Sequence, residues 1–207
     1  MSEVKITYLG HACFCLESQG YRTVLDPYED NNVPGLPSLH VDAEAVYCSH
    51  GHGDHNAVQN VNLQKTPKAA PYTVSTFVTP HDHHEGTKRG MNTVHIFDFD
   101  GLRVVHMGDV GRPLTEEEME KVKGVDCMLI PVGGFFTISA AEAKAMADAA
   151  QPTVLIPMHY RRENDGYPVI APVSDFTALC TSVTEGGSEF TLTKDAAKQV
   201  LVMKPNI

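Results

Sequence analysis

Positive charge is scarce in this chain of 207 residues: 16 lysines and arginines stand against 26 aspartates and glutamates, a formal net charge of −10 with histidines neutral. Such a balance offers no electrostatic footprint for nucleic acid or for anionic membranes, so neither is expected as a partner. Long apolar runs are missing too, and none approaches the roughly 20 residues a membrane-spanning helix needs. The opening Met-Ser-Glu-Val-Lys lacks the charged-then-apolar layout of a signal peptide. Five cysteines, an odd number scattered through apolar segments, do not read as a disulfide framework. Cys13 and Cys15 flank Phe14 on an apparent strand and read as small buried residues sharing one face. A cytoplasmic location is expected. No linker, low-complexity segment or short-period repeat divides the chain. With 42% hydrophobic and 20% charged residues, residues 1–207 are expected to form one globular domain.

What the chain has is histidine, concentrated in His50-Gly51-His52-Gly53-Asp54-His55. Four of these six residues can ligate a metal, and the two glycines let the backbone wrap closely while disfavouring a helix. Imidazole nitrogen with carboxylate oxygen is a ligand set for zinc or a similar first-row ion. His50 and His52, two apart on an extended backbone, point the same way and can share one ion. Asp54 and His55 point elsewhere, which suits a second. A histidine-rich surface tract is the plain alternative.

Strands are expected at Val4–Leu9, Ala12–Glu17 and Tyr21–Leu25, with a turn at Gly10-His11. Residues 29–40 form a loop rich in asparagine, proline and glycine. A short strand, Ala45–Ser49, delivers the histidine run, and a weak helix is expected from Asp54 to about Gln64. Tyr72–Thr79 is a β-branched and aromatic strand ending at His81, followed by a polar loop through Gly90. Thr93–Phe99 and Leu102–Met107 form a hairpin about Asp100-Gly101 that leads to Asp109. Capping boxes at Thr115/Glu118 and Ser139/Glu142 open two helices. Strands Asp126–Pro131 and Thr153–Pro157 follow each of them, the second placing His159 just past its end. The tail, 174–202, holds one or two helices and a final strand. Each candidate ligand thus lies at the carboxyl end of an apolar strand.

The pattern His50-x-His52-x-Asp54-His55, followed in order by His81 in Thr-Pro-His-Asp, Asp109 in His-Met-Gly-Asp-Val-Gly and His159 in Ile-Pro-Met-His-Tyr, resembles the metallo-β-lactamase superfamily. Ile6 to Cys13 and Leu25-Asp26-Pro27 look like its first strands. The resemblance implies an α/β fold, the four-layered αβ/βα sandwich, with two facing sheets and helices outside. It implies two divalent ions, Zn2+ with Mn2+ or Fe2+ as alternatives: His50, His52 and His81 around one, Asp54, His55 and His159 around the other, and Asp109 bridging. Asp54 and Asp109 are the expected catalytic carboxylates, working with a metal-bridging hydroxide. His83 and His84 are alternatives to His81 should the loop run differently. His11 and Asp26 are candidate partners orienting the ligands, and His106 a core or supporting histidine. Arg89 is a candidate contact for an anionic substrate group, Phe135 and Phe136 for an apolar wall, and Tyr160 for a hydrogen bond to a substrate oxygen.

Within the superfamily the chain most resembles the compact branch of L-ascorbate 6-phosphate lactonase-like proteins, through Gly10-His11-Ala12-Cys13, Arg89-Gly90-Met91-Asn92 and Pro131-Val132-Gly133-Gly134 among others. The expected function is hydrolysis of a small-molecule ester-like substrate, a lactone, with a small phosphodiester as the alternative. A non-catalytic metal-binding module is the reading from another class. Oxygen or nitric oxide reduction at a di-iron site is disfavoured because His52 stands where those proteins carry glutamate.

Overall fold

The computed structural model describes residues 2–65 and 68–207. The strands are β1 (Val4–Gly10), β2 (Cys13–Ser18), β3 (Tyr21–Leu25), β4 (Val41–Ala43), β5 (Ala45–Tyr47), β6 (Val61–Leu63), β7 (Thr73–Pro80), β8 (Met91–Phe99), β9 (Leu102–His106), β10 (Cys127–Pro131), β11 (Val154–Met158), β12 (Val183–Glu185), β13 (Glu189–Leu192) and β14 (Gln199–Val202). Helices α1 (Glu116–Val122), α2 (Ala140–Ala150) and α3 (Val173–Thr177) complete the set. Among the described residues no helix is long and apolar enough to cross a membrane.

Two mixed sheets face each other, as the metallo-β-lactamase resemblance implies. One runs β13-β1-β2-β3-β5 and the other β12-β14-β11-β10-β9-β8-β7, while β4 and β6 pair separately. Strand alternation sorts the apolar side chains into layers. Ile6 and Tyr8 of β1, Phe14 and Leu16 of β2, Leu129 of β10 and Ile156 of β11 fill the space between the sheets. Their neighbours Met128, Ile130 and Leu155 face outward, where Val122 of α1, Met146 of α2 and Phe176 of α3 cover them. On the other sheet, Cys13, Cys15 and Val24 face outward beneath Tyr28, Val33, Leu36 and Leu39. The outer cover there is loop 28–40 with the β4–β6 pair. Both cysteines are buried free thiols, and burial pushes the Cys15 thiol up to about 11, which suits packing rather than chemistry.

Both capping boxes form: Thr115 accepts from the Glu118 amide and Ser139 from the Glu142 amide, each glutamate reaching back in return. One expectation fails and another is incomplete. The segment from Asp54 to Gln64 is not a helix; it holds turns, one 3-10 turn at Val58–Asn60, and β6. His55 N–H donates to the His52 carbonyl and Ala57 N–H to the Pro27 carbonyl, so the backbone is tied to the neighbouring loop. Val61–Leu63 then pairs in parallel with Val41–Ala43. The tail holds the expected helix, five residues long, and the expected final strand, β14, with two strands besides: β12 beside β14 in one sheet and β13 at the edge of the other.

Candidate metal centre

β5, β7, β9 and β11 all deliver their carboxyl ends to one edge of the molecule, and His11 joins them from the β1–β2 turn. The residues that follow these ends converge. Ring centroids lie 4.6 Å apart for His50 and His52, 4.6 Å for His50 and His81, 4.3 Å for His50 and His55, and 5.6 Å for His55 and His159. The Oδ2 of Asp109 lies 3.2 Å from His55 Nε2, 3.4 Å from His81 Nε2 and 3.2 Å from His159 Nε2. Asp109 therefore stands between the two groups of histidines. Ligand-type atoms of His50, His52 and His81 lie within 4.8 Å of one another, and so do those of His11, Asp54, His55 and His159. All seven residues singled out from the sequence gather here. His83, exposed, lies 3.6 Å from Glu142, and His84 accepts from Lys88 Nζ at 2.8 Å; neither reaches the cluster.

His11 was expected as a supporting residue, and it is closer than that. Its Nε2 lies 3.2 Å from Asp54 Oδ2 and its ring 4.0 Å from that of His159. Asp26 is a buried support. Its Oδ2 accepts from His55 Nδ1 at 2.7 Å and from Ser49 Oγ at 2.6 Å, and its Oδ1 accepts from the Ser49 amide at 2.6 Å. Because the Ser49 proton goes to Asp26, Ser49 Oγ accepts from His50 Nδ1 at 2.9 Å. One carboxylate thus orients two imidazoles, tying up Nδ1 of each and leaving Nε2 to face the cluster. His106 bridges the sheets instead, donating from Nε2 to the Ala12 carbonyl at 2.9 Å and accepting from the Gly108 amide at 3.2 Å.

Backbone constraint marks the same residues. His11, Asp26 and His159 hold positive φ values of 55°, 45° and 53°, a conformation that side chains other than glycine rarely adopt. Gly108 also has a positive φ, and a Cβ there would stand 2.2 Å from Asn92 Oδ1. That oxygen accepts from the Asp109 amide at 2.8 Å, while Asn92 Nδ2 donates to Thr79 Oγ1 and to the Met107 carbonyl. The sequence reading gave Asn92 and Ser49 no role at the site, since an interior asparagine or serine carries no functional signal of its own.

Seven buried side-chain atoms among the described residues have no hydrogen-bond partner: His11 Nδ1, His50 Nε2, His55 Nε2, His81 Nδ1, Asp109 Oδ1 and both ring nitrogens of His159. Every one belongs to this cluster. Native proteins leave few such groups, because each forfeits its hydration without compensation. Unpartnered imidazole nitrogens and a carboxylate oxygen gathered in one cluster fit divalent cations.

Electrostatics separate the histidines. Burial, helped by the neighbouring imidazoles, pushes His50 down to about 3 and His11 down to about 4, so both rings are neutral. Burial also opposes charge on His55, but Asp109 and Asp26 override it and hold its pKa well above the ordinary value. Burial raises the Asp109 carboxyl, yet His159 and His55 win and keep it well below the usual range. Asp54 is likewise depressed, by His11 and His55 against its burial.

Loop 82–90 is wound around one side chain. Asp82 accepts backbone N–H bonds from His84 (2.7 Å), Gly86 (3.0 Å), Lys88 (3.0 Å) and Arg89 (2.8 Å). The loop sets Arg89 at a cavity of about 330 Å³ lined by His52, Asp54, His81, Arg89, Asp109, Phe136 and Tyr167. Tyr167 lies 5.5 Å from the His11 ring and donates from its hydroxyl to Asn32 Oδ1 at 2.5 Å. Tyr160, expected near the substrate, turns into the core, where its hydroxyl lies 3.5 Å from the Met203 carbonyl. The backbone of His159 is left-handed there, and Tyr167, not Tyr160, lines the cavity.

Comparison with known proteins accords with this geometry. The model of the Beta-lactamase superfamily domain matches residues 5–159. A crystal structure from Thermotoga maritima, a candidate Zn-dependent hydrolase of the metallo-β-lactamase superfamily, is 34% identical with a TM-score of 0.74, over 98% of this chain and 100% of that one. Proteins called UPF0173 metal-dependent hydrolase are similar in sequence: 28% identical in Natranaerobius thermophilus and 29% in Archaeoglobus fulgidus, each over 76% of this chain and 83% of the relative. The metallo-β-lactamase fold protein YhfI of Bacillus subtilis, 12% identical with a TM-score of 0.62 over 99% of this chain and 97% of its own, shares the fold. With the family model spanning most of its length and the ligand cluster assembled at the strand ends, the chain belongs to the metallo-β-lactamase superfamily.

Proposed function

We propose that the protein is a hydrolase that holds two divalent ions and cleaves a small ester-like bond, a lactone first and a phosphodiester second. The observation that carries this reading is the set of seven unsatisfied buried atoms, all in one cluster. His50, His52 and His81 would hold one ion, Asp54, His55 and His159 the other, with Asp109 between them. Zinc is favoured by the ligand types and by the Thermotoga maritima relative, which is described as Zn-dependent. Bound divalent ions of this kind lower the pKa of coordinated water to about 7 and polarise an attacked carbonyl or phosphoryl oxygen.

The chain's own residues supply orientation and shelter. Asp26 and Ser49 hold the Nδ1 atoms of His55 and His50, so their Nε2 atoms face inward, where on His55 a bound cation would replace the proton that Asp109 favours. Asn92 fixes the backbone of Asp109. Against its burial, His11 and His55 keep Asp54 a carboxylate, and it lines the cavity where it would orient an attacking water by accepting a hydrogen bond from it. Phe136 and Tyr167 wall the cavity, and Tyr167 keeps its proton because burial and Asp54 raise its pKa.

A panel of lactones and bis-p-nitrophenyl phosphate, assayed on protein loaded with zinc or manganese, tests this. Turnover of one class, lost in His159→Ala, is the expected result. Absence of turnover for both classes at full metal occupancy would overturn the hydrolase reading and leave a metal-binding module.

A further inference from the structure

Arg89 differs from every other arginine of the chain. Arg22, Arg112 and Arg162 pair with Glu44, Glu118 and Asp165. Arg103 donates to the Lys121 carbonyl and Arg161 to the Ile170 carbonyl. The Arg89 guanidinium has no oxygen partner among the described residues. Its central carbon lies 5.5 Å from the Phe136 ring centroid and 5.9 Å from that of Phe135. Arg89 is half-buried and borders the same cavity as His52, Asp54, His81 and Asp109. An arginine carries its charge at all accessible pH and presents a planar fork that matches carboxylate and phosphate oxygens. Held against aromatic rings and left without an acid, it is a cation awaiting a counter-ion.

Phe135 supplies a second, independent observation. It is a large aromatic left 63% exposed, on a backbone with φ of 56°. Exposed apolar surface and a left-handed conformation at a bulky residue both oppose folding, and strain of this sort gathers at ligand sites. Phe135 and Phe136 meet edge to face, centroids 4.8 Å apart at 87°, which builds a two-sided aromatic platform for the guanidinium. The four N–H bonds onto Asp82 brace the loop from below.

We propose that Arg89, seated on the Phe135–Phe136 pair, is the anion-recognition element of the cavity, so that the natural substrate is a small molecule carrying a carboxylate or phosphate group beside the bond that is cleaved. This rests on the hydrolase reading for the cleavage, though not for the binding. The volume of about 330 Å³ is at the small end for ligand sites, so the organic body of the substrate is compact.

The test uses zinc-loaded wild type, Arg89→Gln, Arg89→Lys and Phe135→Gly. Calorimetric titrations with phenylphosphonate and with benzoate read the phosphate and carboxylate arms separately. Arg89→Gln is expected to weaken at least one of them by roughly 10-fold or more, the size of a charge-assisted contact, with partial recovery in Arg89→Lys. Kinetics compare mono-p-nitrophenyl succinate with its neutral methyl ester. Arg89→Gln is expected to raise KM for the anionic ester by about 10-fold while kcat changes little, and to leave KM for the neutral ester within about twofold. Phe135→Gly is expected to raise the melting temperature, by relieving the backbone, and to raise KM for the anionic ester; a purely structural phenylalanine would leave that KM alone. Equal affinity of wild type and Arg89→Gln for both anions would overturn the proposal. Anion binding that depends on Arg89 in a protein that hydrolyses no ester would support the anion seat and count against the hydrolase reading alone.

Discussion

Asp26 and His55 meet at 2.7 Å, carboxylate Oδ2 to ring Nδ1, where both side chains are shut off from solvent. The contact anchors the His55 ring by Nδ1 and turns Nε2 toward Asp109, and the same carboxylate oxygen draws the Ser49 hydroxyl proton away from His50. Two candidate ligands therefore depend on one acid that would touch no ion itself.

Asp26→Asn removes that control, because an amide at 26 can donate as well as accept. Metal affinity is expected to fall by about 10- to 100-fold, read by competition with a chromophoric chelator. Circular dichroism checks that the fold survives. Unchanged affinity in a folded Asp26→Asn protein would contradict the supporting role.

Gly108→Ala places a methyl group 2.2 Å from Asn92 Oδ1 on a backbone with φ of 54°. The cost is expected to be about 2 kcal/mol, a drop in Tm of roughly 4–8 °C for a chain of this size. Because Asn92 holds the Asp109 amide, bound metal should fall along with Tm. A thermal melt and a metal assay on the same sample check both.

Asp82 sets a pH dependence on loop 82–90. Its burial favours the neutral acid, but four backbone N–H donors, Arg89 first among them, override this and bring its pKa down to about 2. A carboxyl depressed below its unfolded value, about 3.9, stabilises the fold above that value and loses the contribution as pH falls through 2. The Asp82 carboxyl carbon is therefore expected to titrate near 2 by NMR, with the Gly86, Lys88 and Arg89 amides shifting in the same window. A midpoint near 3.9 would show that the loop is not organised about this side chain.

The His50–His55 candidates were legible because they sit in a short dense motif, a local pattern, whereas His81, Asp109 and His159 were legible as ligands only through the ordered resemblance to the superfamily. The two helices opened by capping boxes were legible from local patterns as well. Residues 54–64 were not: Ala57 and Asn60 bond to loop residues Pro27, Tyr28 and Asp30, and contacts with a distant loop override a weak helical pattern. Tyr160 was misplaced because strand alternation does not continue through the left-handed backbone of His159. Arg89 could be placed on a loop, but its aromatic seat lies more than forty residues further along, at Phe135 and Phe136, and only folding brings them together.

Chelation should act on stability as well as on activity. An ion that binds only the folded chain adds about 4 kcal/mol when present at 1,000 times its Kd, so stripping metal should lower Tm and abolish hydrolysis, and added zinc should restore both. Stripped protein with an unchanged Tm would mean that the buried imidazoles need no cation.

The most direct test is metal counted per chain together with anomalous diffraction from zinc-loaded crystals of the wild type and of His159→Ala. Two ions flanking Asp109 in the wild type, one among His50, His52 and His81 and one among Asp54, His55 and His159, with the second lost in His159→Ala, is the predicted result. No ion within the cluster, or two ions retained without His159, would contradict the account.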